Sequence, residues 1–522
     1  MNYKKVIEGL YNISPIYLLA LSGLLFVLSF PPLPFSFLAF VGLIPFLIGF
    51  ESDDYYFGFS KGFVFGAVLN LGILFWLAGN SGAPWYFAVL SMIGAVLALG
   101  VQYGVLGAVY AFIARKLGKN IALWGLPVIF AGFEFLTSRS VFGFTWNSLV
   151  YTQSSSIYPA QIASLIGGYG ISFWLVLVNV LLFKSLRFFY QEQAVQARKV
   201  LISLLIVFLF PYIFGYFQVD TKAKKGKSIK AALIQPNVDP NAKWRSDEQD
   251  RHIEKLFSLS DSVLSNTAGT NFLVWPETAI PAYLRRNSIL RTEIMRRADS
   301  WNVSLISGAP NYRKNEVKDE YEFYNTIYHF NPNKDSIETY SKIRLVPFGE
   351  KIPLSNIFES LEKINLGQGN YQSGDSLKLF QVPLQKGAKK LTISNAICYE
   401  SGFSELIKKG VSKGAELLVI VTNDAWFGNT SAPYLHAEIA RIRAIENQIP
   451  IVRAANTGIS MILDKYGRVK KKIGFGKQGW LVDRVKARSG STLYSKIGSF
   501  INWGFVVLSV VLLAAGIGHD YI

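Results

Sequence analysis

Leu417-Leu418-Val419-Ile420-Val421 stands between Gly414-Ala415-Glu416 and Thr422-Asn423-Asp424. Five apolar residues in a row, closed off by polar ones, are too few to cross a bilayer and suit a strand buried on both faces. Short runs of the same kind recur on either side, at 231–235, 272–275, 305–308, 391–397 and 451–454. Helical patterns near 246–264, 283–299, 401–413 and 434–447 alternate with them. The alternation predicts an α/β layered domain, with functional groups at strand ends and on the loops beyond.

Outside this region the character of the chain changes. At 51% hydrophobic and 15% aromatic residues, with a mean hydropathy of +0.28, the 522 residues are too apolar for an ordinary soluble protein. A crossing helix needs about 20 mainly apolar residues. Runs of that order lie near 14–31, 33–50, 59–78, 85–114, 121–137, 162–186 and 199–217, and a last one covers 501–516. The expectation is therefore about eight spans, with 1–219 as a seven-span transmembrane domain, 220–496 as an inserted extramembrane domain and 497–522 as a C-terminal transmembrane helix. Lys4 and Lys5 precede the first run as in a signal peptide, but Phe30-Pro31-Pro32 ends it without a small-residue cleavage site. That run reads as a retained helix.

Orientation follows from the short loops. Arg115, Lys116 and Lys119 follow the fourth run, and Lys184, Arg187, Arg198 and Lys199 flank the loop between the sixth and seventh. These positive loops face the cytoplasm, while the segment at 79–84 carries no charge and that at 138–156 only Arg139. Seven crossings then put the inserted domain on the far side. The net charge of +18 comes without zinc-finger spacing or an aromatic RNA-binding signature, so anionic headgroups explain it better than nucleic acid.

The single cysteine, Cys398, excludes an internal disulfide and cannot alone build a zinc or iron-sulfur site. It ends an apolar strand in Ile393-Ser394-Asn395-Ala396-Ile397-Cys398-Tyr399-Glu400-Ser401. A lone cysteine is usually a small buried hydrophobe, and a nucleophile needs a base. Only His252, His329, His436 and His519 exist, none in a cysteine-protease pattern, and His436 and Arg443 read as structural. Val274-Trp275-Pro276-Glu277 offers a carboxylate just past a strand, where burial raises its pKa toward a general base's range. Tyr340-Ser341-Lys342-Ile343-Arg344-Leu345-Val346-Pro347-Phe348-Gly349-Glu350 supplies a cation for an oxyanion and a second carboxylate.

Glu277, Lys342 and Cys398 in this order, with Asn423-Asp424-Ala425-Trp426-Phe427-Gly428, resemble the nitrilase superfamily of carbon-nitrogen hydrolases and acyltransferases. With the flanking spans the chain resembles the apolipoprotein N-acyltransferase family within it. Segments 235–244, Tyr324-Asn325, 436–446 and 453–458 fit as well. The membrane half fits more loosely: that family commonly has a Glu-x-x-Arg pair, whereas Glu134 and Arg139 are five apart, and Thr145 replaces the proline before Trp146.

The resemblance implies an α-β-β-α sandwich in the inserted domain and a cofactor-free, metal-free ping-pong transfer at the bacterial inner membrane, with the catalytic domain periplasmic. Glu277 would take the proton of Cys398, and the thiolate would attack a phosphatidylethanolamine ester to give a thioester. The α-amino group of a diacylglyceryl-cysteine on a lipoprotein would then accept the acyl chain. Lys342 would stabilise the oxyanion with a backbone N–H near Tyr399, and Glu350 and Glu400 would support the geometry. Trp244, Trp426, Asn325 and Arg139 are the candidate substrate contacts. Two other readings compete: a membrane-tethered nitrilase-type amidase, for which one anchor would suffice, and a transporter, for which Glu134 is the one clear intramembrane ionisable candidate.

Overall fold

The structure, a computed structural model, describes residues 9–51, 57–140, 143–219, 226–317, 319–352, 370–384 and 389–519. Lys4 and Lys5, and residue 220 at the expected domain boundary, lie outside the described residues. The chain divides into two units: Met1–Ala78, Ala88–Asp220 and Ile497–Ile522 form one, and Gly79–Phe87 with Thr221–Lys496 the other.

Among the described residues of the first unit, six helical stretches are long and apolar enough to cross a membrane. They are Gly58–Gly79, Trp85–Leu117, Lys119–Arg139, Ala163–Tyr190, Ala194–Gln218 and Leu493–Gly518, of which the second and the last begin in the second unit and the first ends there. The first two of the eight expected spans are shorter. Pro15–Ser29, at 15 residues, reaches roughly 22 Å against a hydrocarbon core of about 30 Å. Pro31, Pro32 and Pro34 prevent its continuation. The run at 33–50 is not one helix but a 3-10 turn, Ser36–Phe40, followed by an eight-residue helix, Ile44–Glu51.

The second unit is a four-layer sandwich. Its strands are β1 (Ser228–Gln235), β2 (Phe272–Val274), β3 (Ser304–Asn315), β4 (Glu320–Phe330), β5 (Ile337–Ser341), β6 (Phe380–Pro383), β7 (Lys390–Ile397), β8 (Leu417–Thr422), β9 (Ile451–Ala455), β10 (Ser460–Leu463), β11 (Val469–Ile473) and β12 (Gly479–Lys486). One sheet runs β12-β1-β2-β3-β4-β5 and the other β11-β10-β9-β8-β7-β6. Leu417, Val419 and Val421 face the core between the sheets, while Leu418 and Ile420 face the helices Ser404–Ser412 and Ser431–Asn447. That double burial is why β8 reads as an unbroken apolar run. On the opposite side, Ala232, Ile234, Leu273 and Trp275 pack under the helices Ser246–Ser265 and Ser288–Trp301.

The central pairs β1-β2, β2-β3, β7-β8 and β8-β9 are parallel. Strand β5 returns to the direction of β3 after two antiparallel steps through β4. The segments leaving β2, β5, β7 and β8 therefore carry Glu277, Lys342, Cys398 and Asp424 respectively, each one to three residues past its strand's carboxyl end.

Candidate active site

Glu277 is set by a short anchored segment. Trp275 continues the pairing of β2 through its N–H to the carbonyl of Ile306 (2.9 Å), and its buried indole donates to Ser260 Oγ (2.9 Å). Two residues on, the carboxylate is buried and accepts from Asn325 Nδ2 at 2.7 Å. Behind it, β3 comes so close that a Cβ on Gly308 would lie 2.7 Å from Glu277 Cα and 2.8 Å from the Pro276 carbonyl. Only glycine fits that approach.

Lys342, just past β5, is fully buried, and its N–H donates to the Asn325 carbonyl (2.8 Å). Its ammonium donates to Glu350 Oε1 and Oε2 (2.8 and 2.7 Å) and stands 3.8 Å from Glu277 Oε1. Asn325 Nδ2 reaches Glu350 as well, at 3.0 Å, so one amide group ties the two carboxylates together. Glu350 in turn accepts from the Val346 N–H (2.9 Å), which closes the loop from Lys342 back onto itself. Burial alone would lower the Lys342 pKa, but the charges of Glu350 and Glu277 outweigh it and raise it. The lysine is a fixed cation. Burial raises the pKa of Glu277, with Lys342 opposing and Glu350 reinforcing.

Cys398 directly follows β7 at φ 50°, a left-handed conformation that costs a non-glycine residue about 1–2 kcal/mol. The 3-10 turn Cys398–Gly402 follows, and Glu400 locks it to the lysine loop. This buried carboxylate accepts from the Ile397 N–H (2.7 Å) on one oxygen, and from Tyr340 Oη (2.8 Å), Ile343 N–H (2.7 Å) and Arg344 N–H (3.2 Å) on the other. Strand ends from both sheets are thereby joined at one carboxylate. Burial, then the negative charge of Glu277, pushes the Cys398 thiol up, while Lys342 pulls it down. At rest the sulfur keeps its proton.

Behind the thiol lies a second charged group. Asp424 accepts from Arg453 (2.9 Å) and pairs with His436 Nδ1 (2.7 Å), while His436 Nε2 lies 3.0 Å from Ser401 Oγ and 3.1 Å from the Cys398 carbonyl. The ligating atoms of Cys398, Asp424 and His436 fall within 4.8 Å of one another, as a metal site requires. Yet both His436 nitrogens and both Asp424 oxygens already have protein partners, Thr422 Oγ1 among them (3.0 Å). His436 thus braces the backbone of Cys398 rather than serving its sulfur. In the sequence it read as structural, and the role of Asp424 and Arg453 was not legible because their partners come from 12 and 29 residues away.

The remaining candidates lie around this centre or apart from it. Trp244 is 40% exposed on the 3-10 turn Ala242–Trp244, and Trp426 is half-buried on the turn Ala425–Phe427, its carbonyl accepting from the Ser81 N–H (2.9 Å). The Tyr399 ring packs edge-on against Phe403 at 5.1 Å. Asn325 is part of the carboxylate cluster itself. In the helical unit, Arg139 is exposed at the end of its helix and stacks on Phe135 and Trp503 at 5.5 and 5.7 Å. Glu134 accepts from Ser148 Oγ (2.5 Å) and the Leu149 N–H (2.8 Å), an internal tie to the 3-10 turn Leu149–Gln153.

The carbon-nitrogen hydrolase family matches residues 230–492, and the apolipoprotein N-acyltransferase N-terminal domain matches 22–181. The apolipoprotein N-acyltransferase of Geobacter metallireducens is 34% identical over 508 residues, covering 95% of this chain and 94% of its own. The chain belongs to the apolipoprotein N-acyltransferase family. That of Chlorobaculum tepidum is 29% identical, with 92% of each chain covered. Among solved structures, the nitrilase-superfamily protein Nit3 of Saccharomyces cerevisiae overlaps 50% of this chain and 90% of its own at 18% identity, with a TM-score of 0.38. Membership makes the chain an acyltransferase with a nitrilase-like domain. It also favours transfer over the amidase reading, because the match runs through the helical unit as well as the sandwich.

Proposed function

We propose that this acyltransferase moves a fatty acyl chain from phosphatidylethanolamine to the α-amino group of the diacylglyceryl-cysteine at a lipoprotein's N-terminus, with Glu277, Lys342 and Cys398 as catalytic residues. The carrying observation is the buried Glu277-Asn325-Glu350-Lys342 cluster acting on a strained, protonated thiol. Because burial disfavours a standing thiolate, proton transfer to Glu277 accompanies attack on the ester carbonyl. The new oxyanion falls to the Lys342 ammonium. Collapse expels the lysophospholipid alkoxide, which takes the proton from Glu277, and leaves a Cys398 thioester. The amine attacks that carbonyl, gives up a proton to Glu277 and frees the thiol as the amide forms.

Glu350 and Glu400 hold Lys342 and the cysteine turn in register, and Trp244 and Trp426 flank the entrance. The domain division at 219–220 and 496–497 belongs to the same reading, as does Arg139 meeting a headgroup phosphate. So does the location: Arg198 and Lys199, in the first two turns of the crossing Ala194–Gln218, mark its cytoplasmic end, so that this crossing carries the sandwich to the periplasmic side of the inner membrane. The test is purified enzyme with acyl-labelled phosphatidylethanolamine, analysed by mass spectrometry, then given a diacylated lipopeptide with a free amino terminus. A hydroxylamine-labile acyl group on Cys398 that passes to the peptide amine is the expected result. Absence of the adduct, or release of free fatty acid alone, overturns it.

A pH profile follows. Glu277 accepts a proton only when ionised, and burial holds its pKa above the ordinary carboxylate value of about 4.3. Acylation should therefore fall on the acid side at a pH above that value, while Lys342, with its pKa raised, contributes no alkaline loss below about pH 10. Quench-flow measurement of adduct formation between about pH 4 and pH 9 checks this. An acid limb at or below pH ~4 would contradict the assignment of the base.

A further inference from the structure

Lys243 is a lysine with 1% exposure, in the 3-10 turn Ala242–Trp244. Its ammonium donates to the Thr278 carbonyl (2.9 Å) and to Thr278 Oγ1 (2.5 Å), and lies 5.5 Å over the Trp244 ring. Thr278 directly follows Glu277 and is left-handed at φ 45°, an unusual state for a β-branched residue. The same segment is gripped further along: His252 Nε2 lies 2.7 Å from the Ala279 carbonyl, the Ile280 N–H donates to Gly308 (3.1 Å), and Gln249 donates to the Pro281 carbonyl (2.8 Å). Of these grips, the one nearest the carboxylate is made by a buried cation. Burying an ammonium is costly unless a nearby negative charge repays it, and Glu277 is the acidic group acting on this one.

We propose that Lys243 is a positioning residue for Glu277: its ammonium holds the left-handed Thr278 backbone so that the carboxylate faces Lys342 and Cys398, and its positive charge favours the ionised form of that carboxylate. The inference rests on the reading of Glu277 as general base. The charged and titratable groups acting on Glu277 are Lys342 and Glu350, then Lys243, with Cys398 and Tyr371 also coupled to it. Lys243 itself is faced by Glu277 and His252. Burial pulls Lys243 down to about 8, with Glu277 opposing. A positive neighbour favours the ionised carboxylate, and removing it moves the acid limb of acylation to higher pH.

The experiment compares Lys243→Met, Lys243→Gln and Lys243→Arg in the full-length enzyme, following single-turnover Cys398 acylation by labelled phosphatidylethanolamine against pH, with thermal unfolding as the check on folding. In a folded neutral variant the acid limb should rise by about 1 pH unit, and Lys243→Arg should keep it within a few tenths. An unshifted limb in a folded neutral variant, or an equal shift in Lys243→Arg, overturns the proposal. Glu277→Gln is measured alongside. If it acylates at the wild-type rate, the general-base reading has failed; if it is slow while the neutral variants show no shift, only the role of Lys243 has failed.

Discussion

Cys398→Ala is expected to form no acyl adduct with labelled phosphatidylethanolamine and to lose at least about 10⁴-fold in transfer to the lipopeptide. The reason is chemical, since Cys398 is the only thiol in the chain and a thioester needs one. Cys398→Gly should be equally inactive but not equally stable. At φ 50° the backbone is strained for any residue with a Cβ, and glycine relieves that strain. The glycine variant should therefore exceed the alanine variant by about 1 kcal/mol, read as a higher thermal midpoint in detergent. Equal midpoints would mean that the turn, braced by Glu400 below and His436 behind, does not carry the strain its dihedral indicates. Residual adduct in either variant would move the nucleophile elsewhere.

How far the sequence leads depends on where each signal resides. Strand β8 could be read directly because both its faces are buried, whereas Cys398, Glu277 and Lys342 stand out as candidates only through the family resemblance that their order carries. Strands β4 and β11 could not. Val469-Lys470-Lys471-Lys472-Ile473 is a mostly exposed edge strand whose charges are the ordinary protection against stray pairing, so its composition resembles a loop. The first half of β4, Glu320-Tyr321-Glu322-Phe323, is equally polar and is held by its pairing with β3. The first apolar run is shortened for another reason: hydropathy counts residues, while Pro31, Pro32 and Pro34 end its helix. Lys243 was invisible because a lysine beside a tryptophan looks like a surface pair. Its burial depends on Thr278, 35 residues on, in a conformation that no local pattern announces.

Lys342→Met should damage both activity and fold, by separable routes. Without the ammonium, the oxyanion loses its charged donor, and acylation should slow by at least about 10³-fold. Stability suffers because Glu277 and Glu350 then remain buried, tied by one Asn325 amide and deprived of the cation between them. Breaking a buried pair in this way costs about 3–5 kcal/mol. The sign of its pH dependence distinguishes this cause from lost packing. Burial already holds the pKa of Glu277 above its unfolded value, and the variant removes the Lys342 charge that opposes this, so the penalty is greatest at high pH and fades as pH falls through the raised value. The gap in thermal midpoint between variant and wild type should thus narrow from about pH 8 toward pH 5. Adding Glu350→Gln to Lys342→Met removes one of the two stranded charges and should recover part of the stability with none of the activity. A gap that stays constant with pH, or a double variant no more stable than the single, would show that the two carboxylates do not depend on Lys342 for their charge.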